Sequence, residues 1–328
     1  MFKTVCRNKY MEVLRKLTTK RLLREDRKRK TEVYTQSHAN SSAISIKRYS
    51  SVVKFPKKSI IILMLLFTGL ANASFSKNLW PKWEVNNPLS HEVIDHQLWQ
   101  TFLNRRIVSN EENINLVDYN HMTQIDLNLL KDYLKSMSEI NIDNYNRNEQ
   151  LAYWINIYNA LTVQIVANYY PITTIQEINI SPGLFSVGPW GANLITIKNT
   201  PLTLDDINNR IIRAIWNEPR THYALNNATI GAPNISRKAY QGNKLEEQLN
   251  QAATTYINSL RGVHVVEGKL IISKIYEWYE EDFGGTKQDV VFHLLIFAKE
   301  PLQSQLKHIN SVDGYIYNWH INSPTTDL

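Results

Sequence analysis

The run EPRTHYALNN, at residues 218–227 of this 328-residue chain, gathers the side chains best suited to chemistry. His222 changes charge near neutral pH and is a candidate acid or base, with Arg220 two residues away to hold an anionic group. Asn226 and Asn227 add amides at the end of the run. Residues 222–225 read as a short strand, and period-two spacing puts Arg220, His222, Ala224 and Asn226 on one face. The same residues also fit a plainer role, in which a buried histidine and asparagine satisfy loop backbone groups. Asn156 and Asn159, at i and i+3 of a predicted helix, either line the same pocket or tie down neighbouring loops. Asp205 and Asp206 form a carboxylate pair, but Thr203 with Asp206 has capping-box spacing, which explains both acids as helix N-terminal charges.

Other chemistry has little to draw on. Cys6 is the only cysteine, so the chain beyond it offers no thiolate nucleophile, thiolate metal site or disulfide. His91, His96, His121, His264, His293, His308 and His320 show no ligand spacing. With no phosphate loop, dinucleotide fingerprint or triad motif either, neither a metal nor a cofactor is expected.

The element that must position these groups is residues 151–171, LAYWINIYNALTVQIVANYYP, the longest run without a charge. Leu151, Trp154, Ile155, Tyr158, Leu161, Ile165 and Tyr169 fall at helical spacing, and Ile157, Ala160, Val163 and Ala167 make the other faces nearly as apolar. A helix apolar all round belongs inside a domain. Asn146 with Glu149 reads as an N-cap and capping box, and Pro171 as the stop. Four amides, on Asn156, Asn159, Gln164 and Asn168, argue for a soluble core and against a bilayer span.

Around it, residues 91–105, 129–137, 203–216, 244–260, 273–282, 290–299 and 302–309 read as helices. Residues 115–119, 194–197, 222–225 and 315–321 read as strands, and 263–266 with 269–272 as a hairpin about Glu267-Gly268. Gly284-Gly285 reads as a left-handed helix cap. The expected class is α+β: a central buried helix with surrounding helices and a small, mainly antiparallel sheet.

Charge divides the chain. Residues 1–58 hold 17 Lys and Arg against 4 Asp and Glu, whereas the remainder is net acidic, so no nucleic-acid partner is expected for the folded body. Residues 59–73, SIIILMLLFTGLANA, follow Lys54, Lys57 and Lys58 and combine a short apolar run with a small-x-small site, the parts of a secretory signal peptide. Cleavage after Ala73 and export to the periplasm or beyond are expected, with membrane attachment only through an uncleaved signal segment. Residues 1–58 are then a basic, disordered extension or lie upstream of a translation start near Val52 or Val53. Residues 74–90 read as an extended arm and 91–328 as one α+β domain.

Five blocks in order carry a family likeness: WINIYNALT at 154–162, YYP at 169–171, LTLDDI at 202–207, EPRTHYALN at 218–226 and ISKIYEWYEEDFGG at 272–285. On these the chain, from about His96 onward, resembles the domain-of-unknown-function 547 family, whose name confers a fold and no reaction. Departures accompany the likeness. Members typically read D-D-I-E-H, where this chain has Asn208 and Asn209 after Ile207. They typically carry two cysteines where this chain has Asn227 and Ala232. If those residues served as a nucleophile pair or a metal site, that chemistry is lost here; if they formed only a disulfide, function is untouched.

Three functional expectations follow. The first is an exported binding or interaction module, or a catalytically altered relative of an enzyme, recognising a small molecule, peptide or envelope component. The second is an extracytoplasmic hydrolase or transferase using His222 with Arg220 and Asn226 or Asn227. The third is a membrane-tethered scaffold with a basic cytoplasmic tail.

Overall fold

Hydrophobic spacing and capping lay out the first helices. In the computed structural model, which describes residues 77–184 and 186–324, helix α1 (Gln97–Arg106) buries Trp99, Phe102 and Leu103. Its start falls six residues later than the periodicity suggests, where Asp95 Oδ1 accepts from the Gln97 amide at 2.8 Å. Strands β1 (Ile107–Ser109) and β2 (Asn115–Val117) pair antiparallel. Helix α2 (Gln124–Glu139) opens on a capping box between Thr123 and Asp126. Asp126 is fully buried and also takes Arg105 Nε at 2.6 Å and Arg106 Nη2 at 2.5 Å, which tie α1 to α2.

Helix α3 (Arg147–Tyr169) is the expected central helix, with residues 149–163 buried without interruption. Asn146 caps it, accepting from the amides of Asn148 and Glu149. The capping box is not completed, because the Glu149 carboxylate turns away to the Ile94 amide at 3.3 Å. The backbone leaves the helical region at Tyr170, ahead of Pro171. Within the expected extended arm ahead of α1, Trp83 on a 3₁₀ turn (Pro81–Trp83) is buried with its ring 5.2 Å from Trp154.

Strands β3 (Ile195–Ile197) and β4 (Thr200–Leu202) form a hairpin that glycine spacing gave no hint of, since Lys198 and Asn199 take its positive-φ turn positions. Thr203 and Asp206 make the expected capping box, but Asp206–Ile212 is π-helical before α4 (Arg213–Trp216) resumes the ordinary ladder. Helix α5 (Leu245–Ile257) follows, then the hairpin of β5 (Val263–Val266) and β6 (Lys269–Ser273). Glu267 and Gly268 both have positive φ, as a two-residue type I′ turn requires. Helix α6 (Ile275–Trp278), a 3₁₀ turn (Glu280–Phe283) closed by Gly284, α7 (Lys287–Phe297) and α8 (Leu302–Leu306) complete the helices. Strand β7 (Gly314–Ile316) runs parallel to β6 and is shorter than expected; among the described residues beyond it, single bridges join Thr174 with His320 and Thr229 with Ile321.

The class is α+β, with three small, mainly antiparallel sheets among the described residues where one was expected. Two apolar clusters make the core. One surrounds α3; the other joins Tyr223, Tyr256, Tyr276 and Phe283 to the β5-β6-β7 sheet and α7. Residues Asn72–Leu328 form one compact unit, and the other unit, Met1–Ala71, with its predicted signal segment and basic extension, lies outside the described residues. Among the described residues no helix is long and apolar enough to cross a membrane.

Candidate functional site

Residues 222–225 are not a strand. Pro219 starts a 3₁₀ turn (Pro219–Tyr223), and the Glu218 side chain caps it by accepting from the Arg220 amide at 3.0 Å. A four-residue alternation is too short to compete with a proline at the first turn position and a capping carboxylate. The expected shared face is lost with the strand. Arg220 turns outward to Glu218 and Glu246, 2.6 and 2.8 Å away, and to Asn250, while His222 turns inward.

Inside, His222 Nε2 lies 2.7 Å from Asp282 Oδ2 on the turn after α6. Arg213 Nε reaches the same oxygen at 2.5 Å, and Lys77 Nζ lies 2.8 Å from Oδ1. The His222 ring stacks on Tyr279 at 4.2 Å, with the Arg213 guanidinium over the same Tyr279 ring. Burial pushes the His222 pKa down and outweighs the upward pull of Asp282. Burial opposes ionisation of Asp282, yet bonds from His222, Arg213 and Lys77 hold its carboxyl well below the usual range. His222 is therefore a neutral imidazole donating Nε2–H to a carboxylate, with the Nδ1 lone pair left over.

That imidazole borders a cavity of about 50 Å³ at the seam of the two apolar clusters, together with Tyr158, Asn208, Asn227, Ala232 and Tyr279. Asn208 is buried, donates Nδ2 to the Tyr279 hydroxyl at 3.1 Å, and leaves Oδ1 without a partner. Asn227 Oδ1 accepts from Thr229 Oγ1 at 2.7 Å and the Tyr317 hydroxyl at 2.9 Å. Thus three of the four positions where the chain departs from the resembled pattern, Asn208, Asn227 and Ala232, converge on one cavity with His222. The fourth, Asn209, accepts from Arg213 Nη1 at 2.8 Å just behind it.

The remaining amides have backbone duties. Asn159 donates to the Ala224 carbonyl and accepts from the Asn226 amide, both at 2.9 Å. Asn156 bonds both backbone groups of Tyr240 in the same way. Asn226 donates to the Pro233 carbonyl and accepts from the Ala228 amide. None of these three borders the cavity. They fix the loop that does, and Arg261 helps by donating to the carbonyls of Ile230 and Ala232. Ala228 sits in this loop at φ 61°, a left-handed conformation that the Asn226 side chain supports.

Asp282, Arg213, Tyr279 and Tyr317 had no functional reading in the sequence. A signal for Asp282 existed: it is the acid just ahead of the Gly284-Gly285 cap in one of the five matched blocks. A second, open cleft of about 300 Å³ runs along 93–100 and 239–241 and holds none of the predicted site residues. Among the described residues no group of three His, Cys, Asp or Glu is placed to hold a metal.

No curated protein and no solved structure matches this chain. Residues 142–257 match the family model described as "Protein of unknown function, DUF547". The matched span begins just before α3, ends with α5, and includes His222, Asn208, Asn227 and Ala232; the block at 272–285 that supplies Asp282 lies beyond it. On that match, the chain carries a DUF547 domain at residues 142–257.

Proposed function

We propose that this is an exported protein, periplasmic or secreted, whose domain works as a binding module at the His222 cavity and descends from a site with different chemistry. The observation that carries this reading is the composition of the cavity: His222 and Asp282 form an oriented base, while the positions beside it are Asn227, Ala232 and Asn208. None of these three side chains is a nucleophile. What the cavity does offer is polar groups with unused hydrogen-bonding capacity, which favours holding a ligand over forming a covalent intermediate.

The neutral His222, backed by Asp282, favours one second reading, a hydrolase in which Nδ1 takes a proton from a bound water. Arg220 has no part in it, being engaged by Glu218 and Glu246.

Thermal denaturation of the protein against metals, cell-wall fragments, peptides and small acids tests the binding reading, with His222→Ala beside the wild type. A compound that raises the wild-type midpoint and not that of the variant supports it. If no compound shifts the wild type and His222→Ala only lowers the midpoint, the dyad is structural and the reading falls. Turnover of the bound compound, lost in His222→Ala, would move the protein to the hydrolase reading.

A further inference from the structure

Building on the binding reading above, we propose that the cavity takes a 2-acetamido sugar, with the acetamido group inside and the sugar ring on an aromatic rim. Size comes first. A water needs ~10–15 Å³ of such space, so a cavity of about 50 Å³ admits a group of roughly four heavy atoms and not a pyranose ring.

Polarity selects among such groups. Asn208 Oδ1 is a buried acceptor with nothing to accept from, which is costly unless a ligand supplies an N–H. Asn227 has its oxygen occupied twice, so Nδ2 is its remaining donor, matched by a ligand carbonyl. One acceptor and one donor answer the N–H and C=O of a secondary amide. Leu225, Ala232 and Ile275 form the apolar wall that an acetyl methyl would meet. Among the described residues no Lys, Arg, Asp or Glu borders the cavity, so nothing described there calls for a charged ligand.

The rim points to what the amide is attached to. Trp278 and Tyr317 border the cavity with rings 4.8 Å apart, and Trp319 lies 5.5 and 4.8 Å from them. Trp190 extends the group, 6.2 Å from Trp319. These four rings are only partly buried, as are Trp80 and Trp216 elsewhere, whereas Trp83, Trp99 and Trp154 are closed from solvent. A half-open group of tryptophans suits the flat C–H face of a pyranose, which is apolar across its face and polar at its edge.

The test is titration of the protein with triacetylchitotriose, cellotriose and an acetyl-lysine peptide, followed by calorimetry and tryptophan fluorescence. Triacetylchitotriose is expected to bind saturably and cellotriose about tenfold more weakly, the worth of one or two hydrogen bonds. Asn208→Leu should bring the two sugars level, and Trp278→Ala should weaken both. Should Asn208→Leu fail to fold, Ala232→Val, which fills the cavity from its apolar wall, serves the same purpose. Equal binding of the two sugars, or binding of the peptide alone, overturns the proposal. So does failure of every saccharide, and the two readings then separate: a His222-dependent thermal shift with another compound preserves the binding module, whereas its absence as well removes both.

Discussion

His222 and Asp282 are 60 residues apart in sequence and 2.7 Å apart in the fold, and neither side chain is more than 6 % exposed. The carboxylate is also the counter-ion of Arg213, whose side chain is almost completely buried, so one acid neutralises a cation and orients a base. Such a shared carboxylate makes the site sensitive to small changes.

Asp282→Asn should therefore be more damaging than His222→Ala. It keeps the shape and removes the charge of the carboxylate that Arg213 Nε and His222 Nε2 share, at a cost of about 3–5 kcal/mol. His222→Ala removes one charge-assisted hydrogen bond and a stacked ring, about 2–3 kcal/mol. Urea denaturation of both variants measures the order, and a reversed order would show that Arg213 does not depend on this carboxylate.

Asn159→Leu should free the loop around the cavity. The amide holds the Ala224 carbonyl and the Asn226 amide, and a leucine of similar size would leave both backbone groups buried and unpaired, about 2–4 kcal/mol in total. Hydrogen exchange at Asn226 and Ala228 should speed up more than at β5 and β6. Unchanged exchange there would mean that Asn226, through Pro233, holds the loop by itself.

Arg220→Ala should leave ligand binding as it is and lower stability by about 1–3 kcal/mol, because its bonds to Glu218, Glu246 and Asn250 pin the capped turn to α5. Loss of binding with stability intact would restore the pairing of Arg220 with His222 that a strand would have produced.

Stability should fall as the pH drops below neutral. Burial lowers the pKa of His96 to about 4 against the pull of Asp95, and that of His293 to about 3, both from an unfolded value of 6.5. Between 6.5 and those values the unfolded chain binds protons that the folded one refuses. Their contribution is thus present above 6.5 and lost as pH falls toward 4 and then 3. His96 alone corresponds to about 3 kcal/mol. Urea midpoints at pH 7, 5.5 and 4.5 give the slope; a flat profile would mean that both imidazoles take up their protons as readily in the folded state as in the unfolded chain.

What the sequence determined by itself was whatever a local rule could decide. The central helix follows from an uncharged apolar run bounded by Asn146 and Pro171. The turn at Glu267-Gly268 and the cap at Gly284 are short-range backbone preferences, and they formed where the residues require them. Local rules also misled where a competing local signal was stronger, as at residues 222–225, where Pro219 and Glu218 impose a turn on an alternating pattern. The blocks within residues 142–257 carried the family likeness and no reaction.

Tertiary structure decided the site. His222 meets Asp282 only because the capped turn of residues 219–223 and the turn after α6 are packed at the seam of two cores. Asn208 joins them because the chain after Asp206 is π-helical, a change of ladder that no residue in that stretch announces. Asn156 and Asn159 became loop anchors because the backbone of Tyr240, Ala224 and Asn226 arrives at α3 from 65 to 84 residues away. The physical reason is range. Caps, turns and periodicity act within a few residues, whereas the partners of a buried polar group are set by which distant segments the apolar core brings beside it.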